Sequence, residues 1–312
     1  MTALQDSFPR FTWNLWLDVS QMFQYGFMRN AFLAGTALSI AAGLMGYFVI
    51  IRRQVFAGEA LSDVAFTGAM GGAVLGINPL LGMIVLTIAG ATAMGAFARR
   101  VGERDVAVGT VLTWVLGLGV LFLSLFTSHA SAQGFSGVTV LFGSILSISN
   151  SQMVVIVGIA ACVGLALFVV ARPLIFASID PDVADARGVP VQFLGLVFMV
   201  LLGVTVAEAV QSIGALLVFS LLLLPAAIAQ RQSDRPYATL GLAVVFAVAS
   251  TWLGLIVGFY SGLPSSVCIN LLAFIAYAGV VGVPAVKNQF SLRRFNQDSH
   301  PVINSPHEKP TM

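Results

Sequence analysis

Ile51-Arg52-Arg53-Gln54-Val55-Phe56-Ala57-Gly58-Glu59-Ala60-Leu61-Ser62-Asp63-Val64-Ala65-Phe66-Thr67-Gly68 joins two long apolar segments through a pair of arginines, and two carboxylates lie near the start of the second. Glu59 and Asp63 are four residues apart, so on a helix they share a face. An ionisable side chain at the bilayer centre costs about 2.5–3.5 kcal/mol on insertion scales, so such groups mark pathways more often than packing. The plainer alternative is that both carboxylates are solvated near the membrane surface.

Outward from this stretch the chain is apolar throughout: 58% of its 312 residues are hydrophobic and only 9% charged, where a soluble domain carries about 25% charged residues. The reading is all-α, a polytopic membrane protein. Spans of about 20 residues are expected near 28–51, 58–76, 80–98, 106–126, 150–171, 190–208, 212–229, 237–260 and 265–286. The break between the sixth and seventh is short, so eight or nine transmembrane helices both fit. A net charge of +2 gives no reason to expect nucleic acid. Cys162 and Cys268 each sit inside an apolar segment and read as small buried hydrophobes rather than a disulfide. No basic n-region with a short apolar stretch opens the chain, so no cleaved signal peptide is expected. Residues 1–24, with Trp13, Trp16, Leu17 and Phe23, read as an interfacial segment. Residues 25–286 form the membrane domain, and 287–312, with His300 and His307 among prolines, a disordered tail.

Charge sets the orientation. Arg52 and Arg53, Arg99, Arg100 and Arg104, Arg172 and Arg187, Arg231 and Arg235, and Lys287, Arg293 and Arg294 all follow odd-numbered spans. The alternate connections carry no Lys or Arg. Positive residues stay inside, which places these connections and the C-terminus in the cytoplasm, with Arg10 and Arg29 as minor exceptions. His129, in the opposite loop, reads as solvated. Gly68, Gly72 and Gly76 form a small-xxx-small face on the second span, which lets another helix approach closely.

The connection from Arg172 to Gln192 specifies a short helix. Asp180 caps its start and Pro181 suits its first turn. Asp182 and Asp185 favour the positive end of the dipole, and Arg187-Gly188 followed by Pro190 stops it. An ordered connector and a docking element for a cytosolic partner are both consistent with that. No phosphate-binding Gly-x-x-x-x-Gly-Lys-Ser/Thr loop, His-Glu-x-x-His, Gly-x-Ser-x-Gly or Cys-x-x-Cys occurs. The chain is read as no enzyme, and any ATP would be bound by another subunit.

Four stretches carry a family resemblance. They are Arg52-Arg53 to Gly68, Leu141-Phe142-Gly143-Ser144-Ile145-Leu146, Ile179 to Val191, and Gly214-Ala215-Leu216-Leu217-Val218-Phe219-Ser220-Leu221-Leu222-Leu223-Leu224-Pro225-Ala226-Ala227. With Tyr260 to Ser265 as a last external turn, they resemble the permease subunit of the zinc, manganese and iron ABC importers. The resemblance implies a bacterial inner-membrane permease, paired with a second copy as a homodimer. A close heterodimer of two permeases fits the resemblance as well, and cytosolic ABC ATPase subunits and an extracytoplasmic metal-binding protein are implied as partners. Asp180, Pro181, Asp182, Asp185, Arg187 and Gly188 would form the ATPase-coupling helix, and Glu59 and Asp63 the metal site. Divalent metal would be the cargo, with no cofactor held by this chain. The family's usual pair is Asp and His; two carboxylates are harder donors and lean towards manganese or ferrous iron over zinc. A proton-coupled secondary transporter using Glu59, Asp63 and Glu208 is the alternative. An integral-membrane enzyme lacks a motif here, and a scaffold subunit without transport is a further possibility.

Overall fold

The computed structural model describes residues 22–101, 104–128, 137–143 and 145–298. The segment with Trp13, Trp16 and Leu17, the loop with His129 and the tail with His300 and His307 lie outside the described residues. Helices run α1 Gly26–Ile51, α2 Val55–Val74, α3 Pro79–Val101, α4 Arg104–Ser128, a short α5 Gly137–Phe142, α6 Asn150–Ile179, a short α7 Pro181–Ala186, α8 Val191–Ile213, α9 Ala215–Gln232, α10 Pro236–Ser261 and α11 Ser265–Asp298. A 3-10 turn, Ile145–Ser147, follows α5, and no strand occurs among the described residues. The last helix runs to Asp298, past the point near 286 where its apolar stretch gives out.

Among the described residues eight helices are long and apolar enough to cross a membrane, and the ninth long helix, α2, is not among them. Length is not the reason, because α2 has 20 residues and α9 has 18. Thirteen of the residues of α2 are buried, against seven of the 30 in α6. Glu59, Ser62, Asp63, Thr67 and its glycines make α2 less apolar than the eight, and most of its surface is covered by protein rather than left for lipid.

The helices form two groups. α2, α3 and α4 pack together; α1, α9, α10 and α11 form the second group, with α6 laid on α1. α8 joins them by packing on α3, α2, α6, α9 and α1. Gly68 and Gly82 bring α2 and α3 together, since a side-chain carbon on Gly68 would stand 2.5 Å from Gly82 O. Gly72 also faces this crossing, but Gly76 does not extend the stripe: α2 ends at Val74, and Gly76 makes the following turn at φ 69°. Cys268 is buried as expected; Cys162 is exposed on α6, whose outward face has few protein neighbours.

Between α8 and α9 the break is a single residue, Gly214, at φ 100°. The sixth span therefore reaches Ile213, five residues beyond its expected end at 208. Glu208, Gln211 and Ser212 interrupt the apolar run just before Gly214, so hydropathy places the break several residues ahead of the point where the backbone turns.

Candidate functional site

From Ala57 to Gly72 every residue of α2 is buried except Glu59, Asp63 and Phe66, which are half-buried. With Phe56, 44% exposed, they make one stripe at helical spacing. The i, i+4 spacing that puts the two carboxylates on one face thus also puts them on the face that leaves the bundle open. One oxygen of Glu59, Oε2, is enclosed and meets no hydrogen-bond donor among the described residues. Among the described residues no three His, Cys, Asp or Glu side chains gather as a metal site. One copy of the chain therefore offers a pair of hard oxygen donors rather than a closed cage.

Glu59 opens onto a cavity that Arg53, Phe56, Asp105 and Phe219 also line. Arg53 and Asp105 in turn line a neighbouring cavity of about 330 Å³ with Arg52, Gln54, Gln192 and Met199. The space beside Glu59 is thus continuous in its lining with the arginine-bearing end of the bundle, while Asp63 lines neither cavity. The corner between α1 and α2 is tightly made there: Arg53 N–H donates to Ile50 O at 3.0 Å and Gln54 N–H to Val49 O at 2.9 Å. Arg53 takes φ 54°, a conformation usually left to glycine at such a helix stop.

The short helix α7 is built as its sequence specifies. Asp180 Oδ1 accepts from Val183 N–H at 3.0 Å, and Pro181 opens the first turn. At the other end Val189 N–H donates to Ala184 O at 3.0 Å and Gly188 N–H to Asp185 O at 2.9 Å, with Gly188 at φ 79°. This pair of bonds satisfies the terminal carbonyls and closes the helix. Ala184 is fully buried and anchors α7, while Asp182, Val183, Asp185 and Arg187 are exposed. Ile179 and Phe193, 69% and 63% exposed, flank it and leave an apolar surface beside the charges.

Residues 24–283 match the ABC 3 transport family. The chain belongs to that family. It is 29% identical to the manganese transport system membrane protein MntC of Halalkalibacterium halodurans over 85% of this chain and 90% of that one. It is also 29% identical to the high-affinity zinc uptake system membrane protein ZnuB of Haemophilus influenzae, over 78% of this chain and 94% of that one. Its fold is similar to a chain in the structure of PsaBC from Streptococcus pneumoniae in complex with Fab, with TM-score 0.75 at 25% identity, covering 85% of this chain and 95% of that one. An ABC 3 protein is a multi-pass membrane component of a transporter, not an enzyme.

Within the ABC 3 fold, Glu208 stands apart from the carboxylate pair. It is 1% exposed on α8, neither carboxylate oxygen has a hydrogen-bond partner among the described residues, and it lines neither of the two cavities above. Asp105 is the residue that reading the sequence passed over: it is first-turn acid on α4, with no spacing relation to Glu59, and only the packing of α4 on α2 brings them to one cavity.

Proposed function

We propose that this chain is the permease subunit of an ATP-driven importer in a bacterial inner membrane, with divalent manganese as its principal cargo. The observation that carries the reading is the open carboxylate pair on an otherwise buried helix, in a chain of the ABC 3 family. Two carboxylates suit a hard or borderline cation better than a carboxylate with imidazole would, and relatives named for manganese transport support the choice. A second copy, related by a two-fold axis, would lay its own Phe56–Glu59–Asp63–Phe66 stripe against the first. Four carboxylates would then line a shared path, with the phenylalanines as its apolar walls. A path must release what it binds, so an incomplete donor set in each copy suits passage better than storage.

ATP coupling rests on α7. Its caps hold it as a preformed unit, so a partner need not order it on binding. Its exposed acids and Arg187, beside Ile179 and Phe193, offer the mixed polar and apolar surface of a docking element. Cytosolic ATPase subunits are the occupants this reading assigns, with the C-terminus on the same side, and an extracytoplasmic metal-binding protein would deliver the ion opposite. The carboxylates would also suit a proton-coupled carrier, but such a carrier has no use for α7.

The test is uptake of radioactive manganese, zinc and iron, measured side by side in cells expressing the chain with its ATPase. The Glu59→Gln, Asp63→Asn double variant, at matched membrane expression, should take up manganese about tenfold more slowly, the factor that about 1.4 kcal/mol of lost stabilisation carries. Wild-type rates for all three metals in that variant would sink the assignment.

A further inference from the structure

Arg52, at the corner between α1 and the carboxylate helix, reaches both flanks of α7. Its Nη1 donates to Ser178 Oγ at 3.4 Å, and Ser178 Oγ donates to Leu174 O at 2.5 Å. Ser178 lies two residues before Asp180, the cap of α7. On the other flank, the guanidinium carbon lies 5.2 Å from the centroid of the buried Phe198 ring, within stacking range. A side-chain carbon on Gly195 would stand 3.4 Å from Arg52 Nη2, so the guanidinium runs close along the first turns of α8. In the chain itself Arg52 is the C-cap of α1 and precedes Glu59 by seven residues. The backbone corner beside it is fixed by the hydrogen bonds of Arg53 and Gln54.

We propose that Arg52 is a positioning residue that transmits displacement of α7 to the carboxylate helix α2. The inference rests on the reading of the chain as an ATPase-coupled permease. α7 packs mainly on α6 and α8, so a push on α7 moves the end of α6 and the start of α8. α8 packs directly on α2, whereas α6 packs on α1 and α8, so movement at the end of α6 reaches α2 through its neighbours. A planar guanidinium stacked on one flank and hydrogen-bonded to the other holds both directions at once, and the covalent corner hands the movement to Val55 and Glu59. Lysine supplies the charge but neither the plane nor the fork.

The experiment uses the full importer, the chain with its ATPase, in proteoliposomes, and reads manganese moved per ATP hydrolysed. Arg52→Met should keep complex yield and ATP hydrolysis within about twofold while lowering manganese moved per ATP by about tenfold, inside the range of ordinary coupling energies. Arg52→Lys should recover only a small part of that ratio. If Arg52→Met does not fold, Phe198→Leu, which removes the stacking partner, should lower the same ratio. A role in packing alone would lower transport and hydrolysis together and leave the ratio at its wild-type value, and that result overturns the proposal. A wild-type complex that hydrolyses ATP yet moves no metal sinks the importer reading and this inference together. A transporting wild type with an unchanged ratio in Arg52→Met and Phe198→Leu sinks this inference alone.

Discussion

Gly143 and Gly214 meet backbone to backbone. A side-chain carbon on Gly214 would stand 2.5 Å from Gly143 N, and one on Gly143 would stand 2.6 Å from Gly214 N. Both residues have positive φ, 71° and 100°. The chain leaving α5 is thereby wedged into the one-residue gap between α8 and α9, and neither partner can carry a side chain without moving the other.

Gly214→Ala should therefore cost more than the about 1–3 kcal/mol of a backbone at φ 100° and ψ 151°, a region essentially reserved for glycine, because overlap with Leu141 and Phe142 adds to it. The expected outcome is a lower yield of monodisperse protein in detergent and a lower apparent Tm. Gly158→Ala, at a helix position with open space around it, should hold or raise both. Equal Tm values in the two variants would show that the wedge is not needed.

Asp63→His places imidazole beside Glu59 on the open stripe. Softer nitrogen donors suit zinc, so the ratio of zinc to manganese uptake should rise by about tenfold if the pair sets selectivity, equivalent to about 1.4 kcal/mol. Competition uptake with both metals present reads this directly. An unaltered ratio at normal transport would place the two carboxylates off the path.

Gly188→Val acts on the stop of α7, where an added Cβ would meet no atom within 4 Å beyond its chain neighbours. The left-handed φ of 79° costs a side-chain-bearing residue about 1–2 kcal/mol. Co-purification of the ATPase should fall by about five- to thirtyfold, the range those energies span. Asp180→Ala, which removes the cap, should weaken it less, by about 1 kcal/mol. Full complex yield in both variants would remove α7 as the docking element.

Arg53→Gly relieves a conformation that an arginine holds at some expense. Its side chain is exposed, so the about 1–2 kcal/mol of left-handed strain relieved, less the about 0.4–1 kcal/mol that glycine's freer unfolded chain costs, should leave the corner slightly more stable and the apparent Tm slightly higher. A lower Tm would mean that the arginine side chain contributes more than the backbone loses.

The parts that were legible in the sequence are those whose cause is local. Asp180, Pro181 and Gly188 specify α7 because a cap, a preset φ and a left-handed stop each act within a few residues. Helix α2 was placed by its arginines and its carboxylate spacing, although it is too polar to stand among the eight helices apolar enough to cross a membrane. The end of the sixth span at Ile213 is not legible because the polar residues Glu208, Gln211 and Ser212 end the apolar run before the backbone turns at Gly214.

By itself the sequence determined the all-helical membrane architecture, the shared face of Glu59 and Asp63 and the ends of α7. Tertiary structure decided which face of α2 stays open, where Arg52 reaches, that Asp105 joins Glu59 and that Gly143 closes on Gly214. The physical reason lies in the solvent. In water, polarity tells a helix which face to bury, but here lipid and protein neighbours are both apolar. Small residues at Gly68, Gly82, Gly143 and Gly214 permit close approach without naming the partner, so only the packed bundle assigns each face its neighbour.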